Sequence, residues 1–133
     1  MPRYIVVTGG SDAGKTSTIR TLWSLLGGNK LPDTPSDFHA MLVYEEKNIG
    51  FHSWGDTEYY LNEHAGGIPD LEKNCDIIIS AAKSRGQTQE YFNERCKISK
   101  LYWVGKVWQS EKNKSLKQAA AHVKILINAL VRE

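Results

Sequence analysis

Residues 9–16 combine glycines, a lysine and a hydroxyl residue directly after a short apolar run. The stretch reads VVTGGSDAGKTSTI, in which Gly9, Gly14, Lys15 and Thr16 fit the spacing G-x-x-x-x-G-K-[ST]. Glycines let the backbone approach a ligand closely, so that successive N–H groups converge on one anion. The lysine adds a positive charge, and the hydroxyl adds a ligand for a divalent cation. This combination suits the binding of phosphate groups.

A loop of this kind needs a buried strand before it and a helix after it. Residues 4–7, YIVV, form a continuous apolar run that is typical of a strand buried on both faces. Residues 15–26 predict an amphipathic helix, which Gly27 and Gly28 end. Its apolar face consists of Ile19, Leu22, Trp23 and Leu26. The sequence therefore supplies the context that a phosphate-binding loop requires.

The stretch resembles the Walker A loop of the P-loop NTPase superfamily. The resemblance implies that a nucleoside triphosphate is bound by Gly9, Gly10, Ser11, Asp12, Ala13, Gly14, Lys15, Thr16 and Ser17. It also implies that Lys15 contacts the β- and γ-phosphates and takes part in catalysis, and that Thr16 ligates Mg²⁺. The guanine-reading pattern N-K-x-D does not occur in the sequence. ATP is therefore the expected nucleotide, with another nucleoside triphosphate as the alternative.

The remaining sequence alternates between strand and helix patterns. Beyond residues 4–7, we expect strands at residues 41–46, 49–54, 75–81 and 101–108, with Lys47-Asn48 as the turn between the first two. Further helices are expected at residues 56–64, 69–74 and 88–96 and from Ser115 to the carboxyl end. The spacing in the last helix predicts a core-facing stripe of Leu116, Ala120, Val123, Ile127 and Leu130. The order predicts an α/β fold in one domain, residues 1–133. We expect a three-layer α/β/α sandwich with a mostly parallel five-stranded sheet of the P-loop NTPase type.

Residues 27–39, GGNKLPDTPSDFH, predict a loop that is long for a compact domain. It either covers the bound nucleotide or serves as a plain connection, and the sequence does not choose between these.

P-loop enzymes usually carry a carboxylate at the carboxyl end of a strand, where it supports Mg²⁺. Here His52 follows one apolar strand and Ser80 interrupts another, and Ser53 or Ser80 can hydrogen-bond a metal-bound water instead. Asp56, in the stretch HSWGD, is the candidate carboxylate and catalytic base. The competing interpretation is that Asp56 only caps the following helix.

Arg85, in the stretch AAKSRGQ, follows another predicted strand and is expected on the ligand side of the sheet. A guanidinium there can stabilise the charge that develops on a transferring phosphoryl group. The alternative is a solvated basic loop.

Composition excludes several other classes of protein. The formal net charge of the 133 residues is only +2, which makes nucleic acid an unlikely partner. Cys75 and Cys96 lack the spacing of a zinc site or a disulfide framework. The amino-terminal apolar run is too short for a signal peptide, and no stretch reaches the roughly 20 apolar residues of a membrane span. We expect a cytoplasmic protein that does not enter a membrane.

Two functional hypotheses remain open. The first is a small kinase-like phosphotransferase or NTPase that uses Mg·ATP and an unknown small-molecule acceptor. The second is a non-catalytic module that presents a surface to a protein partner when nucleotide binds.

Overall fold

A computed structural model describes residues 2–8, 15–29, 38–53, 67–82, 87–95, 101–105 and 112–132. Within these ranges the chain forms five strands and four helices. The strands are β1 (Arg3–Thr8), β2 (His39–Tyr44), β3 (Lys47–His52), β4 (Ile77–Ala82) and β5 (Leu101–Gly105). The helices are α1 (Lys15–Leu25), α2 (Ile68–Glu72), α3 (Gln87–Arg95) and α4 (Lys112–Leu130). The predicted α/β class and the alternation of strands with helices are confirmed.

The five strands form one sheet in the order β2-β3-β4-β1-β5. β1 is parallel to both β4 and β5, and β3 is parallel to β4, whereas β2 is antiparallel to β3. The predicted mostly parallel five-stranded sheet is therefore confirmed. Because four strands run in one direction, their carboxyl ends lie at the same edge, which we call the carboxyl edge. In the aligned register, Thr8, Ala82 and Gly105 form one row across this edge.

Helices supply residues to hydrophobic cores on both faces of the sheet. Alternate residues of β1 point to opposite faces, so Ile5 and Val7 enter one core while Tyr4 and Val6 enter the other. The first core also takes buried residues from α1 and α4. The second takes buried residues from α2 and α3. Four of the six β1 side chains are fully buried, so β1 lies at the centre of the fold.

The end of α1 is fixed by its two glycines, as the sequence predicts. Gly27 adopts a φ of 89°, which an L side chain rarely adopts. Its N–H donates to the Ser24 carbonyl (3.1 Å), and the Gly28 N–H donates to the Trp23 carbonyl (2.9 Å). This pair of bonds is the Schellman arrangement, which satisfies carbonyls at a helix end. Trp23 then packs edge-on against Phe51 in the first core.

The turn between β2 and β3 corrects the sequence-based prediction. Glu45 and Glu46 form the turn, with φ of 52° and 67°, and the predicted turn at Lys47-Asn48 is wrong. Asn48 belongs to β3 because Asp76 holds it from the β4 side. The Asp76 N–H donates to the Asn48 carbonyl (2.8 Å), and the Asn48 N–H donates to Asp76 Oδ2 (2.9 Å). Those bonds require Asn48 to be extended.

Other predicted boundaries shift by a few residues or lie outside the described residues. α4 begins at Lys112 rather than Ser115. Of the predicted core-facing stripe, Ala120, Val123, Ile127 and Leu130 are buried, and the side chain of Leu116 lies outside the described part of the chain. His39, which was predicted to end a loop, begins β2. The predicted helix at 56–64 and most of the predicted loop at 27–39 lie outside the described residues. In the part of the chain that is described, no helix combines the length and apolarity needed to cross a membrane.

A substitution at Gly50 tests the packing between β3 and α2. A Cβ at this position would lie 2.8 Å from Cys75 Sγ and 3.1 Å from Leu71 Cδ2. We expect Gly50→Ala to lower the free energy of unfolding by about 1–3 kcal/mol, because overpacking forces neighbours to shift. Urea denaturation measures this loss. The double variant Gly50→Ala/Cys75→Ala should lose less than the sum of the two single variants, and strict additivity would contradict the contact.

Cys75 makes stability depend on alkaline pH. Burial, with a further contribution from the Asp76 charge, raises the pKa of the Cys75 thiol from 9.0 to about 11. The folded state therefore keeps the proton that the unfolded chain releases, and the stability this thiol contributes is present below about pH 9 and lost towards about pH 11. We expect the free energy of unfolding to fall, relative to a Cys75→Ala variant, as pH rises through this window. Denaturation of both proteins at several pH values measures it, and a constant difference would rule the effect out.

Candidate phosphate-binding site

The predicted phosphate-binding loop is anchored at both ends beside the carboxyl edge. β1 ends at Thr8, and α1 begins at Lys15, so residues 9–14 must connect these two positions. Thr8 Oγ1 donates a long hydrogen bond (3.5 Å) to the Val104 carbonyl, which ties the end of β1 to β5. α1 then runs back over the first face of the sheet, where it packs against α4. The described strand and helix are the context that the sequence predicted for this loop.

Lys15 is the most informative described residue of the site. It begins α1, yet it is only 6% exposed. The first turn of α1 contains no acidic residue. A buried cation is costly, and the positive end of the helix dipole adds to that cost. An anion bound at this end of α1 would interact favourably with both the Lys15 ammonium and the positive end of the helix dipole.

The next residues of α1 present hydroxyl groups beside Lys15. Thr16 and Ser17 are half-buried, while Thr18 is fully buried. The Ser17 carbonyl accepts a hydrogen bond from Thr21 Oγ1 (2.8 Å), one turn further along. The backbone N–H groups of a first helical turn have no acceptors within the helix and can bind anion oxygens. Thr16 therefore lies in the first turn, where its hydroxyl can ligate a phosphate-bound cation.

His52 and Ser80 are neighbours on the second face of the sheet. They are aligned Cα partners on β3 and β4, and both are fully buried. The Ser80 hydroxyl makes no hydrogen bond within the described residues. The pair aligns with Val6 rather than Thr8, two residues or about 7 Å below the carboxyl edge. The sequence identified the two residues separately, but only the strand order brings them together.

Ser53 has a structural hydrogen-bonding role. Its Oγ accepts a bond from the Phe38 N–H (2.7 Å) and donates to the Phe38 carbonyl (3.3 Å). The Ser53 N–H also donates to that carbonyl (3.0 Å). These bonds join the residue before β2 to the residue after β3. The hydroxyl is thus engaged with the backbone, which leaves Ser80 as the more available of the two serines named from the sequence.

The structure describes only some of the residues that the sequence predicts for the site. Lys15, Thr16 and Ser17 are described and lie together in the first turn of α1. Residues 9–14, together with Asp56 and Arg85, lie outside the described residues. Across the ranges that are described, no group of three or more His, Cys, Asp or Glu side chains is arranged to hold a metal ion. The role of Thr16 as a magnesium ligand stays a prediction.

Comparison of the chain with protein-family models, with curated proteins and with solved structures gave no match.

Lys15 yields a direct test of anion binding. We expect inorganic tripolyphosphate to raise the melting temperature of the unmodified protein, because the anion would neutralise a buried cation at the start of α1. At a concentration one hundredfold above Kd, the stabilisation would be about 2.7 kcal/mol. Lys15→Met keeps an unbranched side chain without the charge and should abolish the shift. Thermal denaturation with increasing tripolyphosphate provides the measurement.

Lys47→Met is the matched control, because it removes the same charge from the amino end of β3, at the opposite edge of the sheet. It should leave the tripolyphosphate effect intact. Equal stabilisation of Lys15→Met and the unmodified protein would show that the anion binds elsewhere.

Proposed function

We propose that this chain binds a magnesium–nucleoside triphosphate complex, with ATP as the first candidate, and transfers its γ-phosphoryl group to an acceptor or to water. The observation that carries the proposal is the burial of Lys15 at the start of α1. Lys15 occupies the lysine position of the G-x-x-x-x-G-K-[ST] spacing, directly beyond a buried central strand. Ligands of such sheets bind beyond the carboxyl ends of the strands.

The proposal includes a three-layer fold of the P-loop NTPase type. Support comes from the two cores, since α1 and α4 contribute to one and α2 and α3 to the other. In such a fold the backbone N–H groups of residues 9–14 surround the phosphates, Lys15 contacts the β- and γ-phosphates, and Thr16 holds Mg²⁺. The magnesium ion would neutralise charge on the phosphates as the γ-phosphoryl group leaves.

The strand order supports Arg85 as a catalytic candidate. β4 is hydrogen-bonded directly to β1, so Ala82 lies only about 4.8 Å to the side of Thr8. Arg85 follows three residues later and has a long side chain. Little chain is needed to bring its guanidinium over the phosphates, where it would stabilise negative charge in the transition state.

The strand that leads to Asp56, β3, lies further from β1 than β4 does. β3 is separated from β1 by β4, and His52 lies two rows below Thr8, so the direct path is about 12 Å. Four residues span at most about 14 Å when fully extended. Asp56 can therefore act as base or hold a magnesium-bound water only if residues 53–56 run nearly extended across the end of β4. A helix cap at Asp56 would need no such path.

One observation favours the non-catalytic alternative. In the described residues, the rows near the carboxyl ends of β3 and β4 carry His52 and Ser80, where a hydrolytic enzyme of this class usually has a carboxylate. Under this alternative, nucleotide binding would order a surface for a protein partner rather than lead to chemistry.

Paired substitutions distinguish the two functions. We expect Asp56→Asn and Arg85→Ala each to lower ATP turnover about 100-fold or more while ATP affinity changes little, because both groups act on charge and protons in the transition state. Asp70→Asn, on the exposed side of α2, is the matched control and should keep full activity. Turnover by a coupled assay and affinity by calorimetry are measured separately.

The outcomes separate the hypotheses. Nucleotide binding without turnover in the unmodified protein would support the non-catalytic module. Absence of binding to any magnesium–nucleoside triphosphate would overturn both functions.

A further inference from the structure

A cavity of about 300 Å³ lies between the β2–β3 turn and the end of α4. It is lined by Tyr44, Glu45, Asn128, Val131 and Arg132. Tyr44 ends β2, the strand at the edge of the sheet, and is aligned with Lys47 at the start of β3. The cavity is therefore at the amino edge of the sheet, opposite the carboxyl edge where we place the phosphates.

The half-buried part of the cavity lining is apolar and is held in place by the fold. Tyr44 and Val131 both pack against the first core. The Tyr44 hydroxyl donates to Asn128 Oδ1 (2.6 Å), which joins β2 to α4 beside the cavity. This bond uses the amide oxygen of Asn128 and leaves its two amide N–H groups to donate elsewhere. The cavity thus combines an apolar surface with a positioned hydrogen-bond donor.

The exposed part of the lining carries two opposite charges. Strand alternation would place Glu45 on the other face from Tyr44, but its φ of 52° breaks the alternation, and both residues line the cavity. Arg132 follows α4 and is exposed, as Glu45 is. Among the residues that the structure describes, the Glu45 carboxylate and the Arg132 guanidinium form no ion pair with each other. Both groups are therefore available to a ligand between them.

The end of α4 adds negative potential at the same place. α4 ends at Leu130, and its last turn contains no basic residue. The final carbonyl groups of a helix have no donors within the helix, and the negative end of the helix dipole lies there. Asn128 belongs to this last turn, and Val131 follows it. A positively charged group in the cavity would interact favourably with both the helix end and the Glu45 carboxylate.

We propose that this cavity binds a small zwitterion, namely a free α-amino acid with an apolar side chain. Its ammonium group lies between the Glu45 carboxylate and the end of α4. Its carboxylate accepts hydrogen bonds from the Arg132 guanidinium and the Asn128 amide, and a guanidinium suits a carboxylate because it can donate two parallel bonds. Its side chain lies against Tyr44 and Val131. Each part of the ligand then contacts a complementary part of the cavity.

The size and the charges of the cavity limit the class of ligand. Its volume is at the lower end of the roughly 300–1,000 Å³ that is usual for ligand pockets, which favours a small molecule. An amine or a carboxylic acid with one charge would leave either Arg132 or Glu45 without a partner. Because both charged residues are exposed, each contact is weak, and we expect a Kd of about 1–10 mM. Binding does not depend on the proposed nucleotide chemistry.

Titration of isotope-labelled protein with L-leucine tests the site, since NMR detects binding at millimolar concentrations. We expect saturable shifts of the backbone amide resonances of the lining residues, up to about 50 mM ligand. L-Leucinamide lacks the carboxylate, and N-acetyl-L-leucine lacks the ammonium group. Each analogue should bind about fivefold more weakly than L-leucine, or worse, because it loses one charge-assisted contact.

Two substitutions assign the ends of the ligand. Glu45→Gln should weaken L-leucine binding about fivefold and remove the preference for L-leucine over N-acetyl-L-leucine. Arg132→Gln should weaken binding to a similar extent and remove the preference over L-leucinamide. Circular dichroism confirms that each variant is folded.

The matched controls remove the same charges outside the cavity lining. Glu46→Gln acts in the same turn, where Glu46 is exposed and has a φ of 67°. Lys124→Gln removes a positive charge from α4. Both variants should bind L-leucine as the unmodified protein does. Lys15→Met should also keep this binding, which separates the cavity from the proposed phosphate site.

Three outcomes would overturn the inference. The first is the absence of saturable shifts at the lining residues over the whole titration. The second is equal binding of L-leucine and its two analogues. The third is a Glu45→Gln variant that binds L-leucine as tightly as the Glu46→Gln control.

Discussion

The burial of β1 between β4 and β5 is the constraint on which the rest of the structure depends. Four consecutive side chains of β1 are fully buried, and both of its edges are hydrogen-bonded. β1 ends at Thr8, which lies in register with Ala82 of β4 and Gly105 of β5. α1 then covers the first core, which returns Lys15 to the same edge. The position of a lysine at the start of a helix thus follows from hydrophobic burial of the strand before it.

Features of the fold that depend on neighbouring residues could be predicted from the sequence, whereas features that depend on long-range contacts could not. The run YIVV and the stripe from Ala120 to Leu130 report burial directly, and the structure confirms both as a central strand and a core-facing helix. The carboxyl end of α1 was also predictable, because Gly27 adopts a conformation that few other residues tolerate. The order of the strands was not predictable, because it depends on long-range pairing. Under the proposed function, that order favours Arg85 over Asp56, because β4 is paired with β1 and β3 is not.

The misplaced hairpin turn shows how tertiary contacts override local turn propensity. Asparagine is a frequent turn residue, whereas two glutamates with positive φ are unusual. Asp76 binds both backbone groups of Asn48 from the β4 side and keeps it in the strand. At the other end, Ser53 binds Phe38 and fixes the register. The turn must then fall on Glu45 and Glu46, and their strain, about 1–2 kcal/mol each, is offset by these long-range bonds.

The same bonds connect the edge strand to the proposed active site. Ser53 ends the described segment that leads towards Asp56, and it is held by Phe38, the residue that leads into β2. For Asp56 to act on the nucleotide, residues 53–56 would have to run nearly extended. The position of Ser53 therefore limits the positions that Asp56 can take. The hydrogen bonds between Ser53 and Phe38 therefore fix the start of the segment on which the proposed role of Asp56 depends.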